Sequence, residues 1–407
     1  MASAVLEEGV ATLDTKYTCN GYINVDKYRM NCHYHAGHGT QTLTQGLENS
    51  CNPFFITLGQ RLGVHNYFKY FDGFGFTQKT GIDLPGEASP QYYEEKQYGI
   101  VELSSASFGQ TNSLTPIQVC TGLCAIANGG KLMKPYVVSE MKDQDGNTVS
   151  KAEPTTIRQV ISEDTSKKVC QMMQSVVDNG TGKNAYVAGY KVGGKTGTST
   201  KLGESKEGEK NKYIVSFAAI APADDPEIAM IIICDEPNVD LGGGAICAPV
   251  AATVIKESMA VLGVEPSYTE EEKKTLSVKA PNVIAKSVSD AEAAIKSAGL
   301  DCKVVGTGDK ITSQSPAAGN TVPSGGQVVL YTSGAEKETV TVPDFTGLTV
   351  SQANSLAASS GLNIEISGNA SSDALVVAYK QSEDQGKEVD AGTVITVSFK
   401  STKAVLD

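Results

Sequence analysis

Gly193-Gly194-Lys195-Thr196-Gly197-Thr198-Ser199 is the stretch on which the reading of this chain turns. A glycine pair, one lysine and three hydroxyl side chains in seven residues suit either a phosphate cradle or an exposed strand edge. The cradle fails a simple test. A nucleotide-binding loop puts a glycine five residues ahead of its Gly-Lys-Thr and then runs into a helix whose N-terminus faces the anion. Gly189 falls at that place before Gly194-Lys195-Thr196, but Gly197 and the polar run to Lys212 leave no helix to follow. The strand reading holds outward from the motif. Residues 213–221 and 227–235 are β-branched or apolar runs joined by Pro222-Ala223-Asp224-Asp225-Pro226, an antiparallel hairpin beside a lysine-bearing strand. Upstream, residues 43–59 read as a helix around a polar break, and 117–128 and 163–178 as helices, the last stopped by Asn179-Gly180. The pattern predicts an α+β domain over residues 1–265.

The 407 residues exceed one ordinary core and predict two or three domains. An apolar content of 40% with 20% charged residues is that of a folded chain. A formal charge of −12 argues against nucleic acid as a partner, because phosphate recognition needs a basic face. No stretch approaches the ~18 apolar residues of a membrane span. Residues 1–10 carry neither a basic n-region nor a cleavage site, so an export signal and membrane anchor are expected upstream of Met1 if the protein works outside the cytoplasm.

The last third repeats itself. Pro281-Asn282-Val283, then Ser287-Val288-Ser289-Asp290-Ala291, then Ala298-Gly299-Leu300 are answered 62 residues on by Pro343-Asp344-Phe345, Thr349-Val350-Ser351-Gln352-Ala353 and Ser360-Gly361-Leu362. Ser313-Gln314-Ser315-Pro316 matches Lys380-Gln381-Ser382-Glu383 at an offset of 67. Each unit reads as a capped helix on three strands. This pattern resembles PASTA domains, small modules of cell-wall synthases and wall-sensing kinases. It is expected at residues 276–334 and 338–402, after a linker at 266–275 that contains the charged segment Tyr268-Thr269-Glu270-Glu271-Glu272-Lys273-Lys274.

Lys-Thr-Gly at 195–197, with Ser50-Cys51-Asn52 some 140 residues earlier, resembles two of the three motifs of serine acyltransferases that act on D-alanyl peptides or β-lactams. Two further strings match class B penicillin-binding proteins: Thr80-Gly81-Ile82-Asp83-Leu84-Pro85-Gly86-Glu87 and Phe108-Gly109-Gln110-Thr111-Asn112-Ser113-Leu114-Thr115-Pro116-Ile117-Gln118. The resemblance implies a penicillin-binding transpeptidase fold, an antiparallel sheet flanked by helices, of the division or sporulation type found in Gram-positive bacteria. It implies crosslinking of peptidoglycan stem peptides through a serine acyl-enzyme, with β-lactams as substrate mimics and no cofactor. In that scheme Lys195 supplies positive potential, and Thr196 and Thr198 bind the substrate carboxylate. Gly197 lets substrate lie along the strand, and the Thr198 N–H is an oxyanion donor. Ser50 relays a proton, and Asn52 bonds the substrate carbonyl and the catalytic lysine. The implied partners are stem peptides and β-lactams, muropeptides on the PASTA repeats, and divisome or sporulation proteins, all on the outer face of the membrane.

The third motif, Ser-x-x-Lys, supplies the nucleophile and its base. It is expected nowhere in residues 1–265. Family members carry it just before a helix ending Leu-Glu-Glu-Gly, here Ala4-Val5-Leu6-Glu7-Glu8-Gly9, which places it about half a dozen residues ahead of Met1. The chain alone is therefore expected to be inactive. The competing expectation is a non-catalytic protein that binds peptidoglycan through its repeats.

Nine cysteines is an odd number, so at least one thiol is unpaired or liganded. Cys19, Cys32, His38 and Cys51 follow Cys-x12-Cys-x5-His-x12-Cys, three thiolates and an imidazole that make a complete tetrahedral set for a structural Zn2+. A Cys19–Cys32 disulfide and free thiols are the alternatives.

Overall fold

The computed structural model describes residues 1–201, 212–239, 241–262, 264, 266–269, 271–272, 277–323, 326–368 and 376–401. Most of the polar run before Lys212, the linker residues Glu270, Lys273 and Lys274, and the expected outer ends of the two repeats, 276 and 402, lie outside the described residues. The chain divides into two compact units. One is Met1–Val187 with Lys191–Lys256; the other is Ala188–Tyr190 with Glu257–Asp407.

The first unit opens with α1 (Ala2–Glu7) and four short strands, β1 (Lys16–Cys19), β2 (Tyr22–Val25), β3 (Tyr28–Asn31) and β4 (Gly39–Thr42). β1 pairs antiparallel with β4, and β2 with β3. The helix expected over residues 43–59 is two helices, α2 (Leu43–Glu48) and α3 (Asn52–Gly73). Thr42 and Gln45 close a reciprocal capping box at the start of α2. The polar break is the turn Asn49-Ser50-Cys51, with Ser50 in the left-handed region at φ 49°. α4 (Ile100–Ser107), α5 (Pro116–Ala127) and α6 (Glu163–Asn179) follow. Val5, Leu43, Phe54, Leu58, Met172 and Val176, from α1, α2, α3 and α6, share one core. Full burial of each large side chain contributes ~1.5–3 kcal/mol.

β5 (Gly193–Thr200), β6 (Tyr213–Ala221) and β7 (Ile228–Asp235) form an antiparallel sheet in the order β7–β6–β5. The central strand alternates as its position demands, with Val215, Phe217 and Ala219 fully buried. Its register sets Lys195 opposite Ala218 and Gly197 opposite Ser216. β5 is the edge of the described sheet. α7 (Gly243–Leu262) carries the last residues of the first unit, through Lys256, and its first turn sits on the sheet backbone: a Cβ on Gly243 would lie 2.0 Å from the Ser216 carbonyl oxygen and 2.7 Å from that of Gly197.

Both signature strings prove to be bracing. The Glu87 carboxylate accepts from the Thr80 amide and hydroxyl, each at 2.7 Å, and from the Gly81 amide at 3.1 Å, while Asp83 accepts from the amides of Val137 and Val138. These bonds hold both carboxyls below their ordinary range against the cost of desolvation. In the second string, Asn112 joins the hydroxyls of Tyr98 and Tyr67, and Thr115 and Gln118 form the capping box of α5 with Pro116 at its first position.

In the second unit each repeat is one helix on a three-stranded sheet, as its sequence predicts. The first has α8 (Val288–Ser297), β8 (Asp301–Val305), β9 (Ile311–Ser315) and β10 (Gln327–Thr332). The second has α9 (Val350–Ser359), β11 (Asn363–Gly368), β12 (Val376–Gln381) and β13 (Val394–Ser401). The last strand lies centrally, parallel to the first and antiparallel to the second. Each repeat adds a two-stranded ribbon that the sequence reading lacked, Ser277–Lys279 with Thr321–Pro323 and Thr339–Thr341 with Glu388–Asp390. The matched glutamines do one job. The Gln314 amide accepts from the Val283 N–H and donates to the carbonyls of Pro281 and Pro316; Gln381 does the same for Phe345, Pro343 and Glu383. Asn363, buried, joins the copies by pairing with both backbone groups of Gln327 and with the Gly392 carbonyl.

Candidate active site and thiol cluster

The strand β5 and the turn between α2 and α3 meet at one hydrogen bond. Lys195 Nζ donates to Ser50 Oγ at 2.9 Å, to the Thr196 carbonyl at 2.9 Å and to Thr196 Oγ1 at 3.2 Å. The lysine reaches Ser50 because α6 packs on β5 and on α2, and because the turn after α6 ties both together. The Thr181 amide donates to the Glu48 carbonyl at the end of α2, and the hydroxyls of Thr181 and Thr196 lie 3.2 Å apart. Lys195 therefore touches Ser50 directly. Burial lowers its pKa from 10.5 to about 8, since desolvation disfavours the ammonium form.

The other expected site residues divide. Thr196, Gly197 and Thr198 run along the open edge of β5, with Thr198 exposed. The Gly242 that precedes α7 lies over Thr198. Asn52 is engaged elsewhere: its amide donates 3.2 Å to the Asn31 carbonyl at the end of β3. A cavity of about 210 Å3 elsewhere in the unit, lined by Tyr67, Phe71, Phe74 and Phe76, includes none of these residues.

One Ser-x-x-Lys string does occur in residues 1–265, contrary to expectation: Ser139-Glu140-Met141-Lys142. It lies on an exposed hairpin of Glu140–Lys142 with Thr148–Lys151. Residues three apart on a strand point to opposite faces, whereas a helix brings them to one. Lys142 is moreover engaged by Glu140 at 3.1 Å. This string cannot serve as a nucleophile and its base.

The second constellation is the thiol cluster. The ligand atoms of Cys19, Cys32, His38 and Cys51 all lie within 4.8 Å of one another. The three cysteines are at most 1% exposed. Pairing of β1 with β4 brings Cys19 and Gly39 into register, Cys32 follows β3, and Cys51 caps α3, so four sequence-distant residues converge. A hydrogen bond from Cys51 holds the Cys32 thiol well below its ordinary range and pushes Cys51 up. His65 stands apart, paired at 3.0 Å with Glu95 on the surface.

This sheet order, with a lysine on the edge strand touching a serine at a helix start, defines the class. Residues 1–256 match the penicillin-binding protein transpeptidase domain, and residues 278–334 and 340–401 match the PASTA domain. The chain belongs to the penicillin-binding transpeptidase family and carries two PASTA domains. Among its relatives, stage V sporulation protein D of Bacillus subtilis is 42% identical over 346 residues, covering 83% of this chain and 53% of that protein. Penicillin-binding protein PbpB of Mycobacterium tuberculosis is 31% identical over 258 residues, 61% of this chain and 38% of the relative. The chain thus spans about half the length of the curated relatives it matches, or less. The crystal structure of penicillin-binding protein 3 of M. tuberculosis with ampicillin aligns at TM-score 0.60 and 29% identity over 66% of this chain and 62% of that one. Penicillin-binding protein 2X of Streptococcus thermophilus, 23% identical, shares the fold over 98% of this chain and 59% of its own, at TM-score 0.58.

Proposed function

We propose that this chain is the substrate-recognition and proton-relay part of a D,D-transpeptidase that crosslinks peptidoglycan stem peptides and is acylated by β-lactams. The observation that carries the reading is the Lys195–Ser50 hydrogen bond beside an open strand edge rich in hydroxyls. In the catalytic cycle a serine hydroxyl attacks the D-Ala–D-Ala carbonyl, its proton passes to the leaving D-alanine, and an acceptor amine then attacks the acyl ester, forming the amide bond while its proton returns to the departing serine oxygen. Lys195 has the charge and reach to hold the terminal carboxylate. Ser50, bonded to a lysine poised near neutrality, can shuttle the proton. Thr196 and Thr198 complete the carboxylate site. Asn52 swings from Asn31 only if substrate offers its amide a better acceptor. The repeats hold the enzyme at the wall by binding muropeptides, and the place of action is the outer face of the membrane among division or sporulation proteins.

The described helices include none long and apolar enough to cross a membrane. The test is made on a graft, with this chain joined behind a Ser-x-x-Lys segment of the kind the family resemblance implies. The graft takes up fluorescent penicillin covalently, and the chain by itself gives no band that survives denaturation. Lys195→Ala in the graft slows acylation at least ~10-fold, the loss of one charge-assisted contact worth ~1.5–3 kcal/mol. Acylation of the variant at the normal rate overturns the assignment.

A further inference from the structure

We propose that Cys19, Cys32, His38 and Cys51 form a structural Zn2+ site that fixes the Ser50 turn. The inference is independent of the transpeptidase reading, because it rests on the ligand geometry alone. Zinc binds thiolate at ~2.3 Å and imidazole at ~2.0–2.1 Å, so four tetrahedral donors stand ~3.6–3.8 Å from one another. Cys32 Sγ and His38 Nδ1 are 3.5 Å apart, and all four donor atoms lie within 4.8 Å. An ion draws them in by less than the width of a rotamer change. Three thiolates, one neutral imidazole and Zn2+ leave a net charge of −1, with the thiol protons released to solvent.

The surrounding backbone is shaped for such a site. The Gly21 amide donates to Cys19 Sγ at 3.4 Å, the kind of N–H···S contact that steadies a ligating thiolate. The Cys32 amide donates to the Gly21 carbonyl at 2.8 Å, closing the β2–β3 hairpin against the cluster. The loop carrying His38 presses so close that a Cβ on Gly37 would lie 2.4 Å from the Cys19 carbonyl oxygen. A disulfide would use two of the three buried thiols and strand the third beside an imidazole. One ion uses all four groups.

What the ion would do follows from Cys51. Its amide donates to the Gly46 carbonyl and its carbonyl accepts from Phe55, so it joins α2 to α3. It also lies between Ser50 and Asn52 in the chain. Ligation ties this residue to the hairpin layer and holds the turn that presents Ser50 to Lys195. The site positions the motif; it does not touch substrate.

The full 407-residue chain, purified with reductant and dialysed against excess zinc and then zinc-free buffer, should retain one zinc by elemental analysis. Replacement by Co2+ should give the thiolate charge-transfer and intense visible bands of a tetrahedral sulfur-rich centre. His38→Ala and Cys32→Ser should lose the metal or its spectrum. Two controls should keep both: Cys120→Ser, outside the cluster, and His33→Ala, whose ring nitrogen lies 4.0 Å from Cys32 Sγ. Stripping the wild-type chain should lower its first melting transition by ~5 °C or more, and zinc should restore it, a readout that needs no variant to fold. Less than ~0.1 zinc per reduced chain overturns the proposal, because a four-ligand structural site at pH 7 survives dialysis. So does an unchanged cobalt spectrum in His38→Ala, or a zinc-treated chain two hydrogens light with Cys19 and Cys32 joined in one peptide.

Discussion

Charge and burial conflict at Lys195, and the conflict can be measured. A fall from 10.5 to about 8 means the fold binds this proton more weakly than the unfolded chain does. At about 1.4 kcal/mol per tenfold, holding the ammonium at pH 7 costs the fold roughly 3 kcal/mol. The sign follows from linkage. Below about 8 both states are charged and the full cost is present. Between about 8 and 10.5 the folded chain has shed the proton and the unfolded chain has not, so the cost fades as pH rises. Lys195→Met keeps most of the stem and removes the charge, but forfeits three bonds, one to Ser50 and two to Thr196, at ~0.5–1.5 kcal/mol each. The variant should lie within about 1–2 kcal/mol of the native chain at pH 7 and lose roughly 3 kcal/mol relative to it by pH 10.5. Because the chain has two units, the readout is hydrogen exchange of the β5 and β6 amides, not a global melt. Competitive acetylation should also place the Lys195 amine midpoint near 8, apart from the surface lysines. A stability difference that stays constant from pH 7 to 10.5, or a midpoint with the other lysines, refutes the reasoning.

Gly243→Ala forces a methyl to within 2.0 Å of the Ser216 carbonyl oxygen, a backbone contact that cannot rotate away. It should cost more than ~2 kcal/mol and lower the first unit's melting temperature by ~5 °C, and an unchanged melt would show that α7 has room to shift. Gln314→Ala and Gln381→Ala each release three backbone partners and should destabilise their own repeat by ~2–3 kcal/mol in calorimetry. Neither should alter penicillin acylation of the graft; a slowed acylation would give the repeats a role in catalysis.

Much of this was readable in the sequence where local pattern and tertiary role agree. The central strand Tyr213–Ala221 matches its expected bounds because its β-branched and apolar run is buried in alternation through Val215, Phe217 and Ala219 and then continuously to Ala221. The repeat alignment found Gln314 and Gln381 because one glutamine satisfies the same three groups twice. α7 had no visible signal: it opens on glycines, required by contact with the sheet, and carries Pro249 inside. The first part of α3 runs past its expected end only as far as Gly63, whose φ of 80° and ψ of 161° kink the chain, and a second helical run follows to Gly73. The three-residue ribbons are too short for any period to show. The ligand spacing of the thiol cluster was legible, but its convergence depends on β1 pairing with β4, a long-range event.

The tripeptide Ser50-Cys51-Asn52 shows why the site could be named before it could be placed. Its three side chains go to three partners: Ser50 to the lysine of β5, Cys51 into the thiol cluster, Asn52 to the carbonyl at the end of β3. Neither a helix nor a strand can send consecutive side chains in those directions. The turn does so by placing Ser50 at φ 49°, a conformation that costs a non-glycine residue ~1–3 kcal/mol. Part of the compensation is local, since Ser50 stands just past the end of α2 and its amide and that of Cys51 close the last turn of that helix. The compensation comes from both flanks: the Ser50 amide bonds to the Leu47 carbonyl, Cys51 to Gly46, and Asn52 to the residue immediately before Cys32. Two of those three anchors lead back to the cysteine–histidine cluster. Whatever holds the cluster therefore helps the end of α2 to hold the strained serine against Lys195, and a motif written as three letters works through a helix end together with a hairpin about twenty residues upstream that folds onto it.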